Sequence, residues 1–577
     1  MIPIDPGGGG GVNPISHIGF KTNALTTAHE PAKSLCPELK KRILPNFRYP
    51  TNDRSSHPTY SFRHLVARLR RCYPLLVIAS PLSSVPEILM RRTNSIKIRA
   101  VLVLGLCFAA PLYAHHLKKG ESTTLPVTTS SAKARELYEK GMADYENLYL
   151  ERCNEEWRAA VKEDPNLAVA WAWIAFNSGT PQEVSQARAK AKELAPKFTP
   201  GEQLMVAWIS KVQEGDFLGG ITAMNDMLEM YPRDKHLLYL AGNWLMGENG
   251  NDQAQRMMEK ALAIDKNFPA ALNDLAYVEA RNREFAKAFA AMDRYIVMLP
   301  KEPNPQDSYG ELLRMAGNFE GSLTHYRAAL RIDPDFVTSQ LGLGDTYALM
   351  GNQEQARVEY DKAIRFAHNE ADRLTYGMQE AMTFVRDGNY AEADKNLLEI
   401  AETAHAKEQD LQEAQALRQM AEYQSDDTVA QKHLKLAEEA LIHRPTISAS
   451  DRDEEMSRIL RNRAVRAARA GDQPLADKSL HQLEALANGS RNRVIQSSWH
   501  GAAGSLLMDQ KKYPDAIAQL EEDQDNPFTM ELLVQAYYQT AQTDKLHEAE
   551  AKLRGTNVPT MEQALVVPAA RAKRPVI

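Results

Sequence analysis

From Ala132 to about residue 550, apolar side chains return every three or four positions, the stripe of an amphipathic helix, with few β-branched runs. The spacing predicts an all-α body. Ahead of it the pattern breaks in two ways. Residues 100–112 form an uninterrupted apolar stretch, and residues 1–89 show neither helical nor alternating periodicity around the Gly7–Gly11 run and scattered prolines. A Thr/Ser-rich stretch from Glu121 to Ser131 reads as the end of a linker over 115–131.

Within the helical part five positions recur together. Gly141, Cys153, Trp157, Ala160 and Pro165 run small, small, large, small, then a helix terminator. The same offsets return at Gly242, Ala254, Met258, Ala261 and Lys266, and at Ala276, Ala288, Met292, Tyr295 and Pro300. They return again at Gly310, Ser322, Tyr326, Ala329 and Pro334, and at Gly344, Ala356, Tyr360, Ala363 and His368. The closing positions from Pro232 to His368 keep a constant 34-residue step. Small residues let two antiparallel helices approach closely, the large one plugs the gap to the next unit, and proline ends the second helix because it has no amide hydrogen. One such pair cannot bury its apolar face alone, so the units must stack.

This pattern resembles the tetratricopeptide repeat family. The resemblance implies an all-α, right-handed superhelical solenoid of stacked helix–turn–helix units with a concave groove. It covers roughly 132–550, sharply over 134–166 and 201–402 and less so at 168–200, where Pro196 falls early. It divides the chain into a first repeat block at 132–402, a degenerate second block at 403–554 closed by a helix pair near 527–553, and a tail at 555–577. The loop His443–Glu455 is the expected break between superhelical blocks.

Charge separates this body from what precedes it. Residues 1–114 hold 15 Lys and Arg against 5 Asp and Glu, leaving 54 basic and 70 acidic residues for the remainder. An acidic body is the wrong sign for displacing counterions from phosphates, so nucleic acid is not an expected partner. Met90 opens a different signal: Arg91, Arg92, Lys97 and Arg99, then the apolar run, then Ala114 and the polar His115-His116. That order reads as a secretory signal peptide over 90–114, the run being too short for a stable membrane anchor. Residues 1–89 are expected to be disordered or not translated, with synthesis starting at Met90. The expected location is periplasmic or secreted. If the segment is retained, the chain becomes a membrane-tethered assembly factor facing the periplasm.

Candidate chemistry is sparse. The sequence holds no HExxH, GxSxG, P-loop or CxxC, and Gly342-Leu343-Gly344 falls on a helix-packing position. His115-His116 supplies too few ligands for a metal, and His500 beside Ser497 and Ser498 has nothing to order a triad. Cys153 is alone after the signal segment and occupies a helix crossing, a buried and inert thiol. Met224, Met227, Met230, Met257, Met258 and Met292 follow helical spacing and read as core. No enzyme activity, cofactor or metal is expected, a helical-repeat enzyme being the remote alternative.

The resemblance implies that the first helix of each unit lines the groove. Residues four apart share a helix face, which selects Tyr239 and Asn243, Asn273 and Tyr277, Asp307 and Glu311, then Leu341 and Asp345. Aromatic rings and amides suit an extended peptide, and the carboxylates are expected to favour neutral or basic ligands. The lysines with which chaperone-binding members clamp a terminal carboxylate are missing from this band. The expected function is a non-enzymatic, exported protein-interaction scaffold that binds a protein or peptide in this groove.

Overall fold

A computed structural model describes residues 123–572 apart from 148, 179, 249 and 444–446. The expected signal segment and the stretch before it lie outside the described residues, as do His115 and His116.

The described residues fold into α-helices joined by short turns, without strands. The first unit pairs α1 (Ala132–Glu146) with α2 (Leu150–Glu163), and the second α3 (Ala168–Asn177) with α4 (Pro181–Leu194). Next come α5 (Pro200–Gln213) with α6 (Phe217–Met230), α7 (Lys235–Gly247) with α8 (Asn251–Ile264), and α9 (Pro269–Arg281) with α10 (Phe285–Met298). They are followed by α11 (Asn304–Met315) with α12 (Phe319–Ile332), α13 (Val337–Leu349) with α14 (Gln353–Arg365), and α15 (Glu370–Arg386) with α16 (Tyr390–Ala406). The later pairs are α17 (Asp410–Tyr423) with α18 (Asp427–His443), α19 (Ala449–Arg469) with α20 (Gln473–Gly489), and α21 (Arg493–Asp509) with α22 (Tyr513–Leu520). Then come α23 (Pro527–Gln539) with α24 (Thr543–Arg554), and a single α25 (Met561–Ala572). Each helix packs on the next along the chain, as an all-α solenoid requires. No helix among the described residues is long and apolar enough to cross a membrane.

The turn inside five of the units has a local cause. Gly215, Gly317, Gly351, Gly388 and Gly471 take the left-handed backbone that glycine adopts without steric cost. Each is followed by Asp216, Asn318, Asn352, Asn389 or Asp472, whose side chain accepts an amide of the second helix's first turn. Glycine therefore ends one helix and its neighbour starts the next.

The five recurring positions form the joint between helices. A Cβ placed at Gly344 would stand 2.6 Å from Tyr360 Cε1, and one at Gly242 would stand 2.8 Å from Met258 Cε. Trp157 closes on Gly141 in the same way. The large side chain also reaches the following unit. Tyr326 lies 3.0 Å from where Gly310 would carry a Cβ and presses on Gly342 as well. In the unit at 168–200 alanines take over these positions, and Trp173, stacked on Trp157 at 5.4 Å, fills the space. Early Pro196 falls in a single 3₁₀ turn, Ala195–Lys197. The methionines at packing positions, Met224, Met227, Met258 and Met292, are fully buried.

Three boundaries differ from expectation. Residues 449–455 are not a loop but the first turns of α19, and Glu455 is buried against Arg418 of α17. The tail contains α25, whose Met561, Ala564 and Val567 pack on α15, α17 and α23. Pro568 within this helix disguises it in the sequence. The linker is docked rather than free over 123–131, as described below.

Residues far apart in sequence also meet along the turns. Gly215 approaches Ala449, Glu248 Oε2 accepts the Arg493 amide at 2.8 Å, and Asn557 Nδ2 donates to the Met315 carbonyl at 3.3 Å. Successive units thus dock later helices onto successive turns of the first block.

Candidate functional site

The candidate groove residues sit where the repeat register puts them, on the first helices α7, α9, α11 and α13. Five of them, Tyr239, Asn273, Tyr277, Asp307 and Glu311, are buried, together with Leu341; Asn243 and Asp345 are half-buried. His236, one helical turn before Tyr239, pairs with Glu146 at the end of α1. Tyr149 bonds Glu302 and meets Phe336 edge-on at 6.2 Å. The turn between α1 and α2 therefore lies against the start of the band.

Side chains of three units are joined by hydrogen bonds. Tyr277 donates its hydroxyl to Glu311 Oε2 at 2.8 Å, and Arg314 donates to Glu311 Oε1 at 3.0 Å. The other arm of Arg314 pairs with Asp345, which accepts the Tyr360 hydroxyl at 2.7 Å. This bears on the expectation that the carboxylates favour neutral or basic ligands, since two of them are already paired with a cation. Arg314, 1% exposed, neutralises Glu311 and Asp345 from within. Pattern reasoning missed Arg314 because it lies three residues past Glu311, off the (i, i+4) pairs.

Two further carboxylates near the band, Asp307 and Asp274, are held by neutral hydrogen-bond donors. Asp307 accepts the Ser339 hydroxyl at 2.5 Å, and burial pushes its carboxyl up to about 7. Asp274 accepts from Asn243 at 2.8 Å and from Asn273 at 3.3 Å, and burial raises it to about 6. Near them two buried amide oxygens, Asn273 Oδ1 and Asn304 Oδ1, have no hydrogen-bond partner within the chain. Such atoms cost about 1–3 kcal/mol each when nothing satisfies them, so their placement on the neighbouring first helices α9 and α11 needs a cause. Tyr277 also borders a cavity of about 160 Å³ shared with Arg281, Arg283, Asp525, Met530 and Asn557.

The other sequence candidates take structural roles. Cys153 is buried beside the Leu150 carbonyl and the Asn177 amide. His500 holds Gln519 at 2.9 Å and rests edge-on against Trp499, apart from any triad geometry. Among the described residues no group of three or more His, Cys, Asp or Glu side chains is placed to hold a metal.

Comparison with known proteins agrees with the repeat register. A tetratricopeptide repeat model matches residues 239–303, and a TPR repeat model matches 310–351. The Protein CTR9 homolog of Arabidopsis thaliana is 23% identical over 207 residues, which are 34% of this chain and 19% of that protein. The chain thus spans about a fifth of the length of the curated relative it matches. Among solved structures, a tetratricopeptide repeat protein from Parabacteroides merdae aligns with a TM-score of 0.31 at 14% identity, over 53% of this chain and 99% of its own. A thermophilic TPR protein of Thermus thermophilus aligns at 0.27 and 20%, over 30% and 91%. The Cut9–Hcn1 hetero-tetramer of APC/C aligns at 0.36 and 15%, over 74% and 79%.

Proposed function

We propose that this chain, built of tetratricopeptide repeats, is a non-enzymatic scaffold exported across a membrane that holds an extended partner polypeptide on the inner band of its first helices. Its repeats indicate a protein-interaction scaffold. The finer reading rests on one observation, the unpaired buried oxygens Asn273 Oδ1 and Asn304 Oδ1 on two neighbouring first helices. Amide oxygens on adjacent helices suit the N–H groups of a peptide backbone. The Tyr277–Glu311–Arg314–Asp345–Tyr360 network fixes the surrounding rotamers and leaves little free charge, so recognition by shape and backbone follows, with weak dependence on salt. A partner reaches the band once the α1–α2 turn moves off His236, Glu302 and Phe336.

A photo-crosslinker tests this at Asn243 and Asp345, the two half-buried positions of the band, in protein made by its native host. Crosslinks to a common partner are expected at both. Crosslinks only from a control at outward-facing Val358, 43% exposed, would move the interaction off the band. Export is tested by N-terminal sequencing of the host protein, expected to begin near His115. A chain that stays in the membrane pellet after carbonate washing, with residues 100–114 intact, would make that segment an anchor.

A further inference from the structure

The described chain begins with an extended strap held by the repeats through three carboxylates. Asp234, the N-cap of α7, accepts the Leu125 amide at 2.8 Å. Glu202, in the first turn of α5, accepts the Thr128 amide at 2.7 Å and its hydroxyl at 2.8 Å. Asp164, just after α2, accepts the Thr129 hydroxyl at 2.6 Å. All three lie on the edge where first helices begin, each in a different unit. Extended chain advances about 10 Å in three residues, close to the 8–10 Å between packed helices, which brings Leu125 and Thr128 to successive units.

The bonds carry little sequence information. They use two backbone amides and two threonine hydroxyls, and only Leu125 and Val127 rest on the core. Residues 122–131 contain no charged side chain. Glu202 and Asp234 are 1% and 4% exposed, and buried carboxylates are tolerable only while donors surround them. Glu202 takes two donors from its own capping box with Thr199 and two from the strap. Half of its hydrogen bonding comes from the strap.

We propose that Asp164, Glu202 and Asp234 form a binding edge for an extended, non-acidic peptide, distinct from the inner band and filled here by the chain's own residues 123–131. A peptide of this type, with free backbone amides and small hydroxyl side chains, replaces the strap. Acidic peptides are excluded by the three carboxylates. The strap competes at the millimolar effective concentration of a short tether, so the intact chain takes such peptides weakly.

The experiment uses the full chain and a fluorescent peptide of residues 122–131, read by anisotropy. The double variant Leu125→Pro/Thr128→Pro removes both amide donors of the strap, and Val127→Asp releases it by a second route without touching a carboxylate. Each released chain is expected to bind the peptide at least tenfold more tightly than wild type. Adding Glu202→Gln, or placing glutamate at both threonines of the peptide that match Thr128 and Thr129, should erase the gain. Trp157, Trp173, Trp208 and Trp244, clustered in the core beneath, report by fluorescence that the first units remain folded. A released chain with unchanged helix signal that binds no better than wild type overturns the proposal, and equal binding of the acidic peptide overturns the ligand class. Neither result bears on the crosslinks at Asn243 and Asp345.

Discussion

Substituting Gly344 by alanine isolates the joint on which the repeat depends. Two opposing terms decide the outcome. Alanine in a helix interior is favoured over glycine by about 0.8–1 kcal/mol. Against this, the added Cβ would stand 2.6 Å from Tyr360 Cε1 and 2.7 Å from Cδ1, nearer than packed carbons allow. The ring has no room to withdraw, because Tyr360 is 1% exposed and its hydroxyl is tied to Asp345. Overpacking of this kind costs about 1–3 kcal/mol, so a net loss of about 0.5–2 kcal/mol is expected. Gly377→Ala is the control, since its Cβ would meet only the flexible end of Ile400 at 3.2 Å. It should be neutral or stabilising by up to about 1 kcal/mol. Urea unfolding followed by circular dichroism, with hydrogen exchange over 337–365 to localise the change, measures both. In a double-mutant cycle with Tyr360→Leu, which removes the ring, most of the Gly344→Ala penalty should disappear. If Gly344→Ala were as stable as Gly377→Ala, the close approach of glycine and aromatic ring would not be what holds the pair together.

Asp307→Asn should stabilise the chain above pH 7 and lose its effect toward pH 4, as followed by melting temperature across pH. Burial raises this carboxyl to about 7, so the folded state holds a proton that the unfolded state releases near pH 4, and stability falls as pH rises between the two. Asparagine retains an oxygen for the Ser339 hydroxyl, and the gain is on the order of a few kcal/mol at most. Glu311→Lys should unfold the middle units rather than merely change ligand preference. It sets a second cation against buried Arg314 and costs on the order of 3–5 kcal/mol, which a thermal melt would show. An unchanged melt would mean that Arg314 finds another partner.

The fold was legible because its rules act within one unit. The spacing of Gly344 to Tyr360, and of Gly310 to Tyr326, is set by two helices packing on each other, and that geometry repeats with the chain. One local rule escaped pattern reasoning although the sequence carries it, the Gly-Asp or Gly-Asn pair at 215–216, 317–318, 351–352, 388–389 and 471–472. Arg283, Glu408, Lys511 and Ala541 take the same left-handed backbone without glycine, and the helices that follow them lack a side-chain cap. The rule is therefore blurred in the later units, where the repeat was hardest to trace. The tail was misread for a similar reason, since Pro568 hides the three-residue spacing of Met561, Ala564 and Val567.

The candidate residues lie on the first helices, as the repeat register predicts, and their surroundings differ from those a single unit suggests. A row of Tyr, Asn, Asp and Glu looks like a solvated face when only neighbouring units are considered. Residues distant in sequence come close beside it: the turn holding Tyr149 reaches Glu302 and Phe336, and Asn557 reaches Met315. Such contacts depend on small rotations accumulated over several units, which no single unit's spacing encodes. The strap has the same character, since its threonines carry no helical or strand period and their partners Glu202 and Asp234 lie more than 70 residues away. A feature of repeat proteins follows from this. Residues that build a unit are found by period, whereas residues that regulate access to the stack are held by contacts outside it and are found only when the partners are seen together.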